Sequence, residues 1–366
     1  MSFKQLIISF LVGVFVFTGC SKKENSVIQN DSKSLNGEKK VSVEKIIEIT
    51  DYPASNIVNC MGLYNNLIYI MTVDYQKRKF VLKFFNKKGR EVKKLTFDAG
   101  KGPGEMIHTG GVEIYNNKIY ILDLQLKRLS YFTIKGDLID TINMRNTGLI
   151  LNFEIKDDIM YFFSKNKYGL GKYNIKTNEI IKGIKRTKFP ENNDIYQGGV
   201  LESDGENIYF GKLSLPYRIS YLNEALDIKK KIVTETKGYE KVIWRKKEDN
   251  SFTFGDYMIN SMAINGKYLY TPFLTKRKVL KNGKNQLKEV DGFINVYNKN
   301  TGKYIYKIIN KNLKDLNGIY SIIGVNNEYI VLYIFALKDS DLVDNYFKSD
   351  NKKYYRAIVF LNNPLK

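Results

Sequence analysis

Short apolar runs, many of them alternating with polar residues, recur along the chain between turns rich in Asn, Gly and Lys. The stretch "NNKIYILDLQLKRLSYFTIKGDLIDTINM" from Asn116 is the clearest: a Tyr-rich run, a charged turn, a second run, a Gly turn and a third run. Period-two alternation marks half-buried strands, and continuous apolar runs between turn residues mark strands buried on both faces. The same unit begins at Asn65 with "NNLIYIMTVDYQKRKFVLKFFNKKGREVKKLTF", and four looser copies follow. The aligned tyrosines Tyr69, Tyr120, Tyr161, Tyr209 and Tyr270 lie 51, 41, 48 and 61 residues apart. That period is close to the length of a propeller blade, with insertions in the fifth and sixth units.

Each unit supplies strands b, c and d, and an apolar segment ahead of it supplies an inner strand a: "IVNCMGL", "GGVEIY", "GLILNFEI", "GGVLES", "SMAI" and "YSIIGV". Four strands per unit and six units predict an all-β, six-bladed β-propeller with four-stranded antiparallel blades, an arrangement that leaves only short, protected sheet edges. The last unit ends at "RAIVFLNN" after three strands, while the unpartnered "VSVEKIIEIT" near Ser42 alternates like a d strand. The N-terminal strand is therefore predicted to close the last blade, and the propeller to span 43–366. No segment reads as a long amphipathic helix; the nearest, "YEKVIWRKKED" around Trp244, falls between the fourth and fifth units as an excursion.

The opening "MSFKQLIISFLVGVFVFTGCSKKENS" carries an apolar run from Leu6 to Phe17. It is short against the ~20 residues that span a bilayer and has the form of a secretory h-region. Ending in Thr18-Gly19-Cys20, it resembles a bacterial lipoprotein signal. The resemblance implies that 1–19 is a cleaved signal peptide, that Cys20 accepts lipid on its sulfur, and that a membrane is a partner. The polar stretch after Cys20 predicts a flexible tether over 20–42. Ser21 stands where an aspartate would resemble an inner-membrane retention signal, which points to the outer membrane, facing periplasm or exterior.

Lys and Arg outnumber Asp and Glu by 59 to 38, a net charge of +21. Such a surface attracts anionic partners, but the charges form no tight basic block, and export from the cytoplasm argues against nucleic acid. Two cysteines, Cys20 and Cys60, provide no disulfide framework, and His108 alone cannot build a multi-histidine zinc site. No EF-hand-like acidic loop is present, so no metal and no cofactor is expected.

One motif stands apart from the repeats: "DAGKGPGEM", residues 98–106. A P-loop needs a Ser or Thr after the lysine and a helix beyond it, whereas Lys101 is followed by Gly102 and Pro103 and then by strands. The motif instead occupies the crossing from strand d of the first blade to strand a of the second, where Pro fixes φ and glycines permit positive φ. Because strands alternate direction, the d-to-a crossings and b-to-c hairpins share one face, and the a-to-b and c-to-d turns share the other. The pattern Gly100-x-Gly102-Pro103-Gly104-Glu105, in a chain with Tyr-rich repeats and a lipoprotein-like leader, resembles the six-bladed β-propeller lipoproteins common in Bacteroidetes, related in pattern to NHL-type propellers. In that family an aromatic usually follows the glutamate; here it is Met106.

On the first face, Arg78, Arg128, Arg218 and Arg277 recur seven to nine residues after the aligned tyrosines, in or beside the b-to-c hairpins. Guanidiniums around one rim suit paired hydrogen bonds to carboxylate or sulfate, and solvated hairpin charges have the same spacing. Two functions follow. The first is a non-catalytic scaffold on a lipid anchor, binding an anionic glycan, a peptide or an envelope protein through loops on a rigid ring. The alternative is a polysaccharide lyase or glycoside hydrolase, the latter needing two facing carboxylates. Asp123, Glu105, Glu202 and Asp256 are the candidates, and no spacing singles any of them out.

Overall fold

The polar alternation near the N-terminus has a structural cause, because the first strands of the chain serve blades completed much later. The computed structural model describes residues 26–30, 37–49, 59–164, 168–185, 199–212, 218–234, 243–247, 250–254, 261–281, 284–309, 319–337 and 354–365. Three strands come first: β1 (Ser26–Asn30), β2 (Glu38–Lys40) and β3 (Val43–Glu48). Blade 1 is β4 (Met61–Tyr64), β5 (Leu67–Asp74), β6 (Lys79–Phe85) and β7 (Glu91–Asp98). Blade 2 is β8 (Thr109–Tyr115), β9 (Lys118–Asp123), β10 (Arg128–Thr133) and β11 (Leu138–Asn143). Blade 3 is β12 (Ile150–Lys156), β13 (Ile159–Ser164), β14 (Tyr168–Asn174) and β15 (Glu179–Lys185). Blade 4 is β16 (Gly199–Ser203), β17 (Ile208–Lys212), β18 (Arg218–Leu222) and β19 (Ile228–Thr234). A separate hairpin, β20 (Ile243–Lys247) and β21 (Asn250–Phe254), forms the excursion around Trp244. Blade 5 is β22 (Ala263–Asn265), β23 (Tyr268–Lys281), β24 (Lys284–Asn298) and β25 (Tyr304–Ile309). Blade 6 is β26 (Ile319–Val325), β27 (Tyr329–Leu337) and β28 (Tyr354–Asn362), completed by β3.

The result is a six-bladed β-propeller. The inner strands β4, β8, β12, β16, β22 and β26 neighbour one another in turn around a ring, and β26 returns to β4. Six buried clusters fill the six gaps between blades, each built from the facing sides of two neighbours. In the gap between blades 1 and 2, for example, Phe80, Leu82 and Phe97 meet Met106, Ile121 and Phe132. The large area of flat, aromatic-rich sheet that this removes from water is the main driving force for closing the ring.

Closure pairs the two ends of the chain: β3 runs antiparallel to β28, with Ile47 opposite Ile358 and Lys45 opposite Phe360. The N-terminal segment departs from expectation ahead of that point. The sequence predicts a flexible tether over 20–42, whereas β1 adds a fifth, parallel strand to β19 and β2 adds one to β25. Asn30 is buried where blades 4 and 5 meet, donating to the Gly302 carbonyl at 3.2 Å and accepting from Tyr304 N–H at 2.9 Å. These short strands lack a hydrophobic signature because their stabilisation is backbone pairing with the open edges of the two blades. Residues 1–25, including the leader and Cys20, lie outside the described residues.

Candidate functional site

The Gly-Pro corner is folded around its own glutamate. Glu105 turns back so that its Oε2 accepts the Gly102 N–H at 2.6 Å, and the Gly100 N–H reaches the Met106 carbonyl at 2.9 Å. A Cβ on Gly100 would lie 2.1 Å from Glu105 Oε2, and one on Gly102 2.9 Å, so the glycines make room for this carboxylate; Gly104 takes φ +75°. Met106 points into the cluster between blades 1 and 2 and is 1% exposed.

Two residues of the neighbouring hairpin hold the corner in place. Arg128 donates from Nη1 to the Lys101 carbonyl at 3.1 Å, and from Nη2 to the carbonyls of Gly102, at 2.7 Å, and Glu105. Asp123, 2% exposed, accepts the N–H groups of Ile107, Gln125 and Leu126 at 2.7, 2.9 and 2.8 Å. Arg128, read from sequence as a rim guanidinium, is therefore a brace. Glu105 and Asp123, candidates for acid–base work, are both occupied by backbone donors. Of the remaining arginines, Arg78 is exposed in a turn at φ 50°, Arg218 is half-buried at the start of β18, and the backbone of Arg277 pairs with Glu289 far along the β23–β24 hairpin. Asp256 lies outside the described residues.

The ring axis holds a cluster of a different kind. Opposite the aligned tyrosines Tyr120, Tyr161 and Tyr209, the inner strands of blades 2, 3 and 4 carry Glu113, Glu154 and Glu202, one per blade at the same register. All three line a cavity of about 130 Å³ on the axis, together with Tyr69 and Met61. In blade 1, Gly62 stands where blades 2 to 4 have glutamate, and a Cβ there would lie 2.2 Å from the Tyr69 hydroxyl. The Tyr69 ring thus occupies the space that a side chain at 62 would need, with its hydroxyl 3.5 Å from the Val112 carbonyl.

At the first-face end, asparagines span the ring. Asn59 donates to the carbonyls of Gly110 (3.1 Å) and Leu151 (2.6 Å) and accepts from Asn152 at 3.1 Å, while Asn152 accepts the Leu201 N–H at 2.7 Å. Blades 1 to 4 are thereby tied together above the carboxyls.

Burial dominates the electrostatics of the trio. The three residues are half-buried along the lining of the axial cavity. Desolvation pushes Glu113 up from 4.5 to about 8. The same desolvation, followed by the repulsion of the neighbouring glutamates, pushes Glu154 well above the ordinary range; for Glu202 the added repulsion comes from Glu113 and Asp204. Carboxyls arranged so hold their protons more tightly than isolated ones. Of the sequence candidates among the described residues, Glu105, Asp123 and Glu202, only Glu202 falls in this cavity. Glu113 and Glu154 went unread, although a glutamate inside the apolar runs "GGVEIY" and "GLILNFEI" is itself a signal of a buried charge.

The stretch "ESDGENIYF" resolves as a turn. Asp204 accepts the N–H groups of Glu206 (3.0 Å) and Asn207 (2.8 Å) and the Tyr209 hydroxyl (3.1 Å), and pairs with Lys299 of blade 5 at 2.6 Å.

No family model matches the sequence, and no curated protein matches it. Among solved structures, the chain is similar to a member of the DUF4221 family from Bacteroides vulgatus, at 12% identity and a TM-score of 0.60, covering 88% of this chain and 98% of that one. It is also similar to a protein from Bacteroides fragilis described as exported, at 15% identity and a TM-score of 0.53, covering 92% and 100%. At such identities the likeness speaks to the fold, a propeller of the same arrangement.

Proposed function

We propose that the protein is a non-catalytic ligand-binding or protein-interaction scaffold of the cell envelope, held to the outer membrane by lipid on Cys20. The observation that carries this reading is the size of the acidic cavity. The three carboxyls gathered at the axis meet in about 130 Å³, well below the ~300–1,000 Å³ of typical ligand sites. A polysaccharide has no room to lie between them. The leader, and a structural neighbour described as exported, support the envelope location. The exposed Arg78, with Arg218 and Arg277 on hairpins of the same face, suits an anionic glycan, an acidic peptide or an envelope protein as partner.

Two measurements test the reading. Replacing Cys20 with Ala should move the protein from the membrane fraction to the soluble one. Full-length protein should gain thermal stability with sulfated or uronate oligosaccharides, lose that gain in Arg78→Glu/Arg218→Glu, and release no shortened or unsaturated product. Product formation would establish the polysaccharide-active alternative instead.

A further inference from the structure

The second face carries a larger recess, separate from the axial cavity. It lies between the turns of blades 1, 5 and 6 and has a volume of about 590 Å³, within the ~300–1,000 Å³ range of small-molecule sites. Six asparagines from four turns line it: Asn65, Asn66, Asn86, Asn265, Asn326 and Asn327. Backbone geometry explains some of these. Asn65 and Asn66 take φ 48° and 61°, and Asn326 and Asn86 cap their own turns, Asn326 accepting the Glu328 and Tyr329 N–H groups and Asn86 those of Lys88 and Arg90. It does not explain Asn265 and Asn327, which join blades 5 and 6 by a side-chain hydrogen bond of 3.1 Å, nor the 3.4 Å bond from Asn326 to Asn66 that joins blades 6 and 1.

These bonds fix the amides in place and leave much of their capacity open. Each amide offers two N–H donors and two carbonyl lone pairs. Asn327 uses its carbonyl on Asn265, and Asn65 makes no side-chain hydrogen bond among the described residues. The charged residues of the lining, Lys87 and Glu328, pair with each other at 3.3 Å across the blade 1–blade 6 boundary. In a chain with a net charge of +21 the recess is thus electrically neutral. Tyr329, stacked edge-on against Phe360 at 5.6 Å, contributes an aromatic wall.

Fixed amides pair a donor with an acceptor at a spacing that matches adjacent hydroxyls, and an aromatic wall suits the C–H face of a sugar ring. We propose that this recess binds an uncharged saccharide. The site extends the scaffold reading to the opposite face and to a ligand of opposite character, and rests on that reading only in being non-catalytic.

The test uses purified full-length protein, calorimetric titration with maltotriose, cellotriose, xylotriose, mannotriose and chitotriose, and trigalacturonate as the acidic comparison. Binding of at least one neutral trisaccharide is expected, weakened tenfold or more in Asn65→Gly/Asn327→Ala. Glycine at 65 keeps the left-handed turn, so the melting temperature of this variant should stay near that of the wild type. Failure of all five neutral sugars to bind, binding indifferent to the two substitutions, or occupancy of the recess by a polar peptide instead would each overturn the proposal. Trigalacturonate binding that depends on Arg78 and Arg218 while neutral sugars fail would leave the scaffold reading standing and remove this site alone.

Discussion

Replacing Glu113, Glu154 and Glu202 together with glutamine tests the electrostatic account of the ring axis most directly. Glutamine keeps the shape and removes the titration. For Glu113 the displacement from 4.5 to about 8 amounts, at roughly 1.4 kcal/mol per pH unit, to about 5 kcal/mol for carrying charge in that position. The effective dielectric of a polar protein site is well above that of a dry interior, so about 2–3 kcal/mol of this should reach global stability. The sign follows from the direction of the shift. A carboxyl raised in the folded state contributes stability that is fully present below 4.5 and is lost as pH rises through about 8. The wild type should therefore weaken between pH 4.5 and about 8 relative to the triple variant. With an unfolding entropy proportional to length, each kcal/mol moves the midpoint of a chain this size by on the order of 1.5 °C. The difference between the two proteins should thus change by about 3–5 °C across that range in differential scanning fluorimetry. Changes in the net charge of the basic surface affect both proteins alike and cancel in the comparison. Parallel midpoint curves for the two proteins would mean that burial does not raise these carboxyls.

Other expectations follow from the same contacts. Gly100→Ala should destabilise by about 2 kcal/mol or more, because its Cβ would fall on the Glu105 carboxylate, and Gly100→Ala/Glu105→Ala should recover part of that loss in urea unfolding. Arg128→Ala removes a charged donor from three carbonyls of the corner and should cost about 2–3 kcal/mol, whereas Arg78→Ala, exposed in its turn, should fall within about 0.5 kcal/mol of wild type. Asp204 is held down to about 2, against the cost of its burial, by its hydrogen bond to Lys299 and by backbone donors. Its contribution is present above 3.8 and lost as pH falls through about 2, so acid unfolding of Asp204→Asn should be less steep than that of the wild type in circular dichroism. Asn30→Ala leaves the Tyr304 N–H without its acceptor and should lower stability by about 1 kcal/mol, with faster amide exchange in β1 than in β3.

The blades were legible because their chemistry is repetitive. An apolar inner strand, a Tyr-bearing second strand and a Gly or Asn turn recur in phase, and the count of strands in the last unit required a partner from elsewhere in the chain. β1 and β2 were not legible. "SVIQN" and "EKK" have no periodicity long enough to read, and only an open edge in space gives them a role. The glycine corner was correctly placed, but its reason was half hidden: sequence shows that glycines permit a bend, not that Glu105 folds back onto them. Arg128 illustrates the limit of spacing. A guanidinium seven to nine residues beyond a tyrosine reads the same whether it faces solvent or turns in to the carbonyls beside it. Glu113 and Glu154 were visible as charges in apolar strands, and what sequence lacked was the ring that brings three blades to one axis.

The union of β3 with β28 has a consequence for how the molecule comes into being. Ser42 and Asn362, hydrogen-bonded at 2.9 Å, are separated by 320 positions, so a ribosome must deliver β28 before β3, made more than three hundred residues earlier, finds its mate. Contacts this distant along the chain slow folding. Until the final segment emerges, the growing molecule exposes an unfinished wheel with two raw sides, and any factor that shields nascent chains would have its longest task at this seam.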